Sequence, residues 1–220
     1  MPTAVVLNNK ETTTVMPEIP VTTTPFFPNF NDSIVELSCI GQEIDLAFLI
    51  DGSGSVATEN FDIAKQFVKN IVDPMDISPT TSRVAFIQYA ESVTKEFSWS
   101  SDKNSTLAAI DSVVYQRQMS TKTGKALNFV KNNVFDSSRA SALKFLVVMT
   151  DGKSHDNPVP KAEELRSSGV VVFSIGLTDG ADFQEVEQMA SSPSSTYFHQ
   201  APTFAALDNI TSYRLVSSRI

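Results

Sequence analysis

The chain has 220 residues, of which 41% are apolar, enough for one substantial core and an appended segment rather than two full domains. Its formal net charge is −8. An acidic surface repels phosphate, so nucleic acid and anionic membrane surfaces are disfavoured as partners, and cations or basic proteins are favoured. No stretch approaches the roughly 18 consecutive apolar residues of a membrane span, which argues against membrane insertion.

Residues 1–41 have the composition of a flexible linker or stalk. Five of the eleven prolines lie within the first 28 residues, beside the threonine runs Thr12–Thr14 and Thr22–Thr24. This segment lacks the periodic apolar residues that build helices or strands. The N-terminus has no basic region followed by an apolar run, so it does not resemble a signal peptide. The sequence then predicts either a leaderless soluble protein or an excised piece of a larger one, and we favour the excised piece.

A single cysteine, Cys39, excludes an internal disulfide framework and a cysteine-based zinc site. In a secreted protein Cys39 would either form a disulfide with another chain or remain a buried thiol, and the sequence leaves both alternatives open. Asn31, Asn104 and Asn209 each begin an Asn-x-Ser/Thr sequence, which would accept N-linked glycans in a secretory protein.

Residues 42–220 alternate buried strands with amphipathic helices. In chain order, the pattern predicts a strand at Ile44–Ile50, a helix from about Glu59, strands at Arg83–Ala90 and Ser92–Trp99, helices at Leu107–Val114 and from Gly124, a strand at Leu143–Thr150, a helix at Pro160–Ser167, a strand at Val170–Gly176, a helix at Phe183–Ala190, a strand at Thr196–His199 and a helix at Phe204–Val216. Such alternation predicts an α/β fold with a doubly wound, mostly parallel sheet, one antiparallel edge strand and helices on both faces.

Oxygen-bearing side chains follow two of the central strands. Asp51, Ser53 and Ser55 follow the first strand in a glycine-hinged turn, and Asp151 follows Thr150 at the end of another. Ligands bind outside the carboxyl ends of parallel strands, so these oxygens should converge there. A set without histidine or thiol selects a hard cation, Mg²⁺ first, with Mn²⁺ and Ca²⁺ as alternatives. The loop Ser120–Gly124 can add a threonine hydroxyl.

Each loop taken alone is an ordinary turn sequence, and only the combination of three loops favours a metal site.

The sequence argues against a catalytic function. No Gly-x-x-x-x-Gly-Lys-Ser/Thr loop is present, Ser53 does not satisfy Gly-x-Ser-x-Gly, and His155 and His199 are the only histidines that could serve a serine as base. The sequence therefore predicts a binding protein and not an enzyme.

These residues resemble the von Willebrand factor A domain family, and within it the inserted domain of integrin α chains. The metal-ion-dependent adhesion site of that family combines Asp-x-Ser-x-Ser, a threonine and a further aspartate, which correspond here to Asp51, Ser53, Ser55, Thr121 and Asp151. Thr121 is the threonine because TKTGKAL, from Thr121 to Leu127, matches the family pattern Thr-x-Thr-Gly-x-Ala-Leu, whose first threonine is the ligand. The resemblance covers about residues 42 to 218.

The segment Thr150–Asn157 (TDGKSHDN) resembles the corresponding loop of collagen-binding integrin chains, which implies that His155 and Asp156 lie on the rim near a bound ligand. Two features differ from integrins. Leu177–Asp182 leaves no room for the extra helix of the collagen-binding members, and no glutamate follows the last helix before Arg219–Ile220.

The resemblance implies an extracellular or cell-surface adhesion module. Its Mg²⁺ would bind an acidic residue of a protein ligand, either a matrix protein such as collagen or a cell-surface counter-receptor. The alternative is a structural matrix module that assembles through lateral contacts or through Cys39.

Overall fold

Six strands and seven helices alternate along residues 42–212, the part of the chain that this computed structural model describes. In order they are β1 (Ile44–Asp51), α1 (Thr58–Val72), β2 (Ser82–Tyr89), β3 (Val93–Ser100), α2 (Lys103–Ser112), α3 (Thr123–Asn133), β4 (Leu143–Thr150), α4 (Val159–Ser167), β5 (Val170–Leu177), α5 (Phe183–Met189), α6 (Ser194–Tyr197), β6 (Phe198–Ala201) and α7 (Leu207–Ser212). Two 3-10 turns, Phe135–Ser137 and Phe204–Ala206, follow α3 and precede α7.

The strands form one sheet in the order β3-β2-β1-β4-β5-β6. Only β3, at one edge, is antiparallel to its neighbour, and the other pairs are parallel. The predicted fold class is therefore confirmed. The chain leaves β1 in one direction to form β2 and later crosses to the other side to form β4, so the winding reverses between β1 and β4. This reversal opens a crevice at the carboxyl ends of these two strands.

Helices cover both faces of the sheet, which explains why β1 is apolar along its whole length. All eight residues of β1 are buried. Phe48 faces the core beneath α1, where Phe61 and Phe67 pack, and Leu49 faces the opposite core, where Leu127 of α3 packs. A strand covered on both faces loses the alternation of polar and apolar residues.

The structure corrects the predicted element boundaries near the C-terminal end. The strand predicted at Thr196–His199 is wrong, because Ser194–Tyr197 forms a helical turn after Pro193 and the strand is Phe198–Ala201, paired with β5. The last helix begins as a 3-10 turn at Phe204 before α7, and its predicted residues 213–216 lie outside the described part. Residues 178–182 join β5 to α5 without an additional helix, as predicted.

Helix α2 starts four residues earlier than predicted, at Lys103, because the Asp102 carboxylate accepts a hydrogen bond from the Ser105 backbone at 2.8 Å. Asn104 is exposed in its first turn, and Asn209 lies in α7. The predicted linker, with Asn31 and Cys39, falls outside the described residues. None of the helices in residues 42–212 is both long enough and apolar enough to cross a bilayer.

Candidate metal centre

The loop after β1 is folded tightly against its neighbours at the carboxyl end of the sheet. The Gly52 backbone donates to the Tyr89 carbonyl at 2.6 Å, and the Gly54 backbone donates to the Gln118 carbonyl at 2.7 Å. A Cβ atom at Gly52 would lie 2.4 Å from the Gln88 side chain, so only glycine fits there. These contacts turn the residues after β1 towards β4 and towards the segment that precedes α3.

Four of the five predicted ligands are joined by hydrogen bonds. The hydroxyl oxygens of Ser53 and Ser55 lie 3.0 Å apart, and the Ser55 hydroxyl donates to Asp151 Oδ1 at 2.9 Å. The Ser53 backbone donates to Asp51 Oδ1 at 2.8 Å. The Thr150 hydroxyl, which the sequence did not single out, donates to Asp51 Oδ2 at 2.8 Å. Two strands that end side by side thus bring two carboxylates and two serine hydroxyls together.

Thr121 approaches the same loops from the N-terminal side of α3. Its hydroxyl oxygen lies 4.0 Å from the position that a Cβ would occupy at Gly152, next to Asp151. The hydroxyl of Thr123 is instead used inside the core, where it donates to the Tyr89 hydroxyl at 3.3 Å. This geometry supports Thr121, rather than Thr123, as the threonine of the site.

Both aspartates are buried without a basic partner. Asp51 is 2% exposed and Asp151 is 6% exposed, and no ion pair among residues 42–212 involves either of them. Burial raises the pKa of Asp51 to about 6, although hydrogen bonds from Ser53 and Thr150 oppose this rise. Burial also raises the pKa of Asp151. Two buried carboxylates that lack a counter-charge fit a divalent cation.

The donor set is one of oxygen atoms alone. Within residues 42–212, no group of three or more His, Cys, Asp or Glu side chains is placed to hold a metal ion. A metal bound between Asp51 and Asp151 would therefore complete its shell with hydroxyl groups and water, which suits Mg²⁺ or Mn²⁺.

The two predicted rim residues both contact the loop that carries Thr121. His155 is exposed; its backbone donates to the Thr121 carbonyl at 2.8 Å, and its Nδ1 accepts from the Thr121 backbone at 3.2 Å. The Asp156 carboxylate accepts from the backbones of Gly124 and Lys125, both at 2.8 Å, at the start of α3. Asp156 thus caps a helix, while the His155 ring remains at the surface.

Tyr115 is a residue of the site that the sequence did not reveal. Its hydroxyl donates a short hydrogen bond to the Ser53 carbonyl and accepts one from the Ala57 backbone at 3.1 Å. Its ring stacks on Phe61 with centroids 4.9 Å apart. Tyr115 therefore fixes both ends of the turn that carries the two serines, including Ala57 with its positive φ of 65°.

Gln88, a fully buried amide in β2, holds the segment that carries Tyr115. Its Oε1 accepts from the Gln116 backbone at 2.7 Å, and its Nε2 donates to the Val114 carbonyl at 2.9 Å. A buried polar side chain needs such partners. A lone glutamine in the otherwise apolar run VAFIQY was the signal that could have pointed to this contact.

An open α/β sheet that gathers carboxylate and hydroxyl oxygens at its switch point defines a recognisable class of domain. The profile of the von Willebrand factor type A domain matches residues 45–212. The chain therefore belongs to the von Willebrand factor type A domain family, as its sequence motifs predicted.

Matrix proteins are among the relatives. The chain is 36% identical to the human collagen alpha-1(XXI) chain over 182 residues, which is 81% of this chain and 19% of that protein. It is 36% identical to guinea-pig (Cavia porcellus) cochlin over 172 residues, 77% of this chain and 31% of that protein. It is 32% identical to chicken (Gallus gallus) matrilin-1 over 175 residues, 77% of this chain and 35% of that protein. The chain thus spans about a fifth to a third of the length of these relatives.

Two solved structures with a similar fold are described as containing a metal ion. Proximal thread matrix protein 1 from the mussel byssus, described with a zinc-occupied MIDAS motif, superposes with a TM-score of 0.72 at 29% identity over 78% of this chain and 44% of that one. The manganese-loaded TRAP protein of Plasmodium vivax superposes with a TM-score of 0.65 at 21% identity over 79% of this chain and 74% of that one, a likeness of fold alone.

Proposed function

We propose that this chain is a metal-ion-dependent adhesion module, in which Mg²⁺ held by Asp51, Ser53, Ser55, Thr121 and Asp151 binds an acidic residue of a protein ligand. The observation that carries the proposal is the pair of buried carboxylates, Asp51 and Asp151, bridged by serine hydroxyls and left without a basic partner. A structural carboxylate in such a position would be paired with Arg or Lys. No side chain of residues 42–212 supplies the missing positive charge, and in our proposal a metal ion does so.

The carboxylates and the hydroxyls would have different roles at the ion. Two carboxylates neutralise the charge of a divalent ion, and three neutral hydroxyls complete its protein ligands without adding charge. Because Mg²⁺ prefers six oxygen ligands, a coordination position stays open to water or to an anionic oxygen of a partner. A carboxylate from Asp or Glu of the ligand would replace that water and bind ion and partner together.

Collagen is the first ligand to test, and a cell-surface counter-receptor is the second. Similarity to a collagen chain and to a thread matrix protein supports a place outside the cell, in a matrix or at the cell surface. An extracellular setting would make Asn31, Asn104 and Asn209 glycan acceptors and Cys39 available for a disulfide with another chain. His155, exposed beside Thr121, is proposed to lie on the rim that faces the ligand.

A solid-phase binding assay tests the proposal. The full chain is applied to immobilised collagens and other matrix proteins in Mg²⁺, Mn²⁺ or Zn²⁺ and in chelator, and binding is expected only with metal. Thr121→Ala should weaken binding without unfolding the domain, since it removes only one hydroxyl and one methyl group from a buried loop residue at the edge of the core. Thr80→Ala, which removes an exposed hydroxyl distant in sequence from the site, is the matched control. Undiminished binding in chelator would contradict the proposal.

A structural matrix module is the second candidate, favoured by the similarity to a protein described as a thread matrix protein. In that case lateral contacts or a disulfide through Cys39 would matter more than the metal. Oligomers that survive chelation but disappear in Cys39→Ser under non-reducing conditions would establish it. Oligomers that are absent in the unmodified chain would remove it.

A further inference from the structure

Residues 117–119, which we call the rim tip, present a cation and an apolar side chain beside the metal centre. Arg117 is exposed, and its guanidinium lies 5.9 Å from the centre of the Tyr115 ring. Met119 is 93% exposed, more than any other large apolar side chain in residues 42–212. An exposed methionine is an adaptable contact surface for a partner.

Arg117 is also distinguished by having no partner of opposite charge. In the described part of the chain, most lysines and arginines contact a carboxylate or a backbone carbonyl, whereas Arg117, Lys122 and Lys144 contact neither. Two of these three flank Thr121, and Lys144 lies at the opposite end of the sheet in β4. In a chain with a net charge of −8, two such cations beside a metal centre favour an acidic partner.

The rim tip is held in place from both sides. Before it, the Tyr115 hydroxyl contacts the Ser53 carbonyl; within it, the Gln118 carbonyl accepts from the Gly54 backbone at 2.7 Å. After it, the Lys122 backbone donates to the Ala90 carbonyl at 3.0 Å. These bonds maintain a positive φ of 57° at Arg117, a conformation that side-chain-bearing residues rarely adopt. A rigid base reduces the entropy lost when a ligand contacts the tip.

The distance to the metal loop is short. The Arg117 guanidinium lies 5.9 Å from the centre of the Tyr115 ring, whose hydroxyl contacts the Ser53 carbonyl. The guanidinium and that carbonyl are therefore at most about 12 Å apart, the reach of three to four residues of extended chain at about 3.3 Å each. A ligand segment whose carboxylate bound the metal could therefore place a second side chain on the rim tip.

We propose that Arg117 and Met119 form a second contact for the ligand, which selects acidic segments carrying another carboxylate, and an apolar side chain, within about four residues of the metal-binding one. This inference rests on the proposed function, because it assigns the sequence class recognised at the same site. Lys122 adds positive charge on the other side of Thr121 and increases the preference for acidic segments.

An array of ten-residue synthetic peptides tests this contact. Each peptide has one central Glu in a Gly/Ser/Pro background, and the series adds a second Glu, a Lys or a Gln two to four residues away, with Leu or Gly beside it. The probe is the full chain, biotinylated and held on tetrameric streptavidin so that weak single contacts are detected through avidity. Binding is measured in Mg²⁺, in Mn²⁺ and in chelator.

A second Glu should increase metal-dependent binding about two- to fivefold, as for a partly exposed ion pair, with a smaller gain at high salt. Arg117→Glu should reverse the preference, so that peptides with Lys bind better than peptides with Glu. Met119→Ser should remove the advantage of Leu. Lys144→Glu makes the same charge change at the opposite end of the sheet and should alter nothing.

Equal binding of one-Glu and two-Glu peptides, or an unchanged preference in Arg117→Glu, would overturn the second contact and leave the metal-dependent function intact. If no peptide binds in a chelator-sensitive manner, the proposed function fails and this inference fails with it. Binding to immobilised heparin that persists in chelator and is lost in Arg117→Glu would assign the cation to a sulphated polysaccharide and also overturn the inference.

Discussion

The two ends of strand β1 each carry a buried aspartate, and their surroundings are opposite. At the amino end, Asp45 is fully buried and receives hydrogen bonds from Arg83 at 2.7 and 2.9 Å and from Arg139 at 2.8 and 3.1 Å. At the carboxyl end, Asp51 receives hydrogen bonds only from neutral groups, the Ser53 backbone and the Thr150 hydroxyl.

The pKa shifts of the two aspartates follow this difference. Burial acts to raise the pKa of Asp45, but the hydrogen bonds and charges of Arg83 and Arg139 outweigh it and lower that pKa below the ordinary value. Burial raises the pKa of Asp51 to about 6, and no cation opposes it. Strand β1 thus carries one carboxylate that the arginines of the chain neutralise, and another that contacts no cation within residues 42–212. The first stabilises the fold, and the second is the one we propose for metal binding.

Removing the charge at the amino end should have the largest effect on stability. Asp45→Asn leaves Arg83 and Arg139 partly buried without a full counter-charge, which typically lowers the free energy of unfolding by about 3 kcal/mol. Urea unfolding in chelator measures the change. The increase in stability on adding metal should persist in this variant, because the metal centre is at the other end of the strand.

The pH dependence of this stability difference tests whether the ion pairs of Asp45 cause it. A lowered pKa means that the unfolded state takes up the proton first, so the stabilisation by Asp45 is complete above the ordinary value of 3.8 and is lost as the pH falls through the lowered pKa. The difference between wild type and Asp45→Asn should therefore shrink below pH 3.8. A difference that stays constant down to pH 3 would contradict the ion-pair assignment.

The matching change at the carboxyl end should not destabilise the metal-free protein. Asp51→Asn removes a buried charge that has no counter-charge, so in chelator the variant should be at least as stable as the wild type. With metal at 100 times its Kd, the wild type should gain about 2.7 kcal/mol, or about 5 to 10 °C in Tm, and the variant nothing. Thermal scans with Mg²⁺, Mn²⁺ and chelator measure both.

Asp151→Asn should behave in the same way as Asp51→Asn, since in the proposed site the two carboxylates share one ion. If either variant lost as much stability in chelator as Asp45→Asn, the two ends of the sheet would be alike, and the carboxyl end would have to be regarded as structural.

Tyr115→Phe should have a smaller effect, confined to metal binding. The ring still stacks on Phe61, but the hydrogen bonds to Ser53 and Ala57 are lost, at about 1 kcal/mol, or about fivefold in the metal Kd. Calorimetric titration with Mn²⁺ measures this Kd. Tyr197→Phe, which removes a tyrosine hydroxyl outside the site, should leave the Kd unchanged. A Tyr115→Phe variant with lower stability in chelator and an unaltered Kd would show a role limited to folding.

Most helices and strands could be predicted because their signals lie within short stretches of sequence. The continuous apolar runs of β1 and β4 and the spacing along α1 needed no knowledge of the remainder of the chain. The turn Ser194–Tyr197 was missed because threonine and tyrosine favour strands. The hydrogen bond from the Thr196 backbone to the Pro193 carbonyl at 3.0 Å and the packing of Tyr197 on Phe173 override that preference. Start and end positions depended on caps such as Asp102, which short patterns place poorly.

The candidate ligands could be named from the sequence because three of its loops resemble the metal-site motif of the family. The residues that hold the loops of the site in place could not be named in this way. Tyr115 contacts Ser53 across 62 residues, and Gln88 contacts Gln116 across 28, so neither contact leaves a local pattern. Arg117 and Met119 were equally hidden, because exposure and the lack of a charged partner are properties of the folded chain.

The smallest expected effect concerns His155. Two roles of this residue can be separated, its support of the Thr121 loop and its contact with a ligand. Its ring accepts a hydrogen bond from the Thr121 backbone N–H at 3.2 Å. When the ring is removed, that N–H can donate to a water molecule instead. His155→Ala should therefore weaken Mn²⁺ binding only about twofold, or about 0.4 kcal/mol, in calorimetric titration. Ligand binding at saturating metal should fall further, because in the proposed function the exposed His155 ring also contacts the partner. Equal losses in both measurements would show that His155 only braces Thr121.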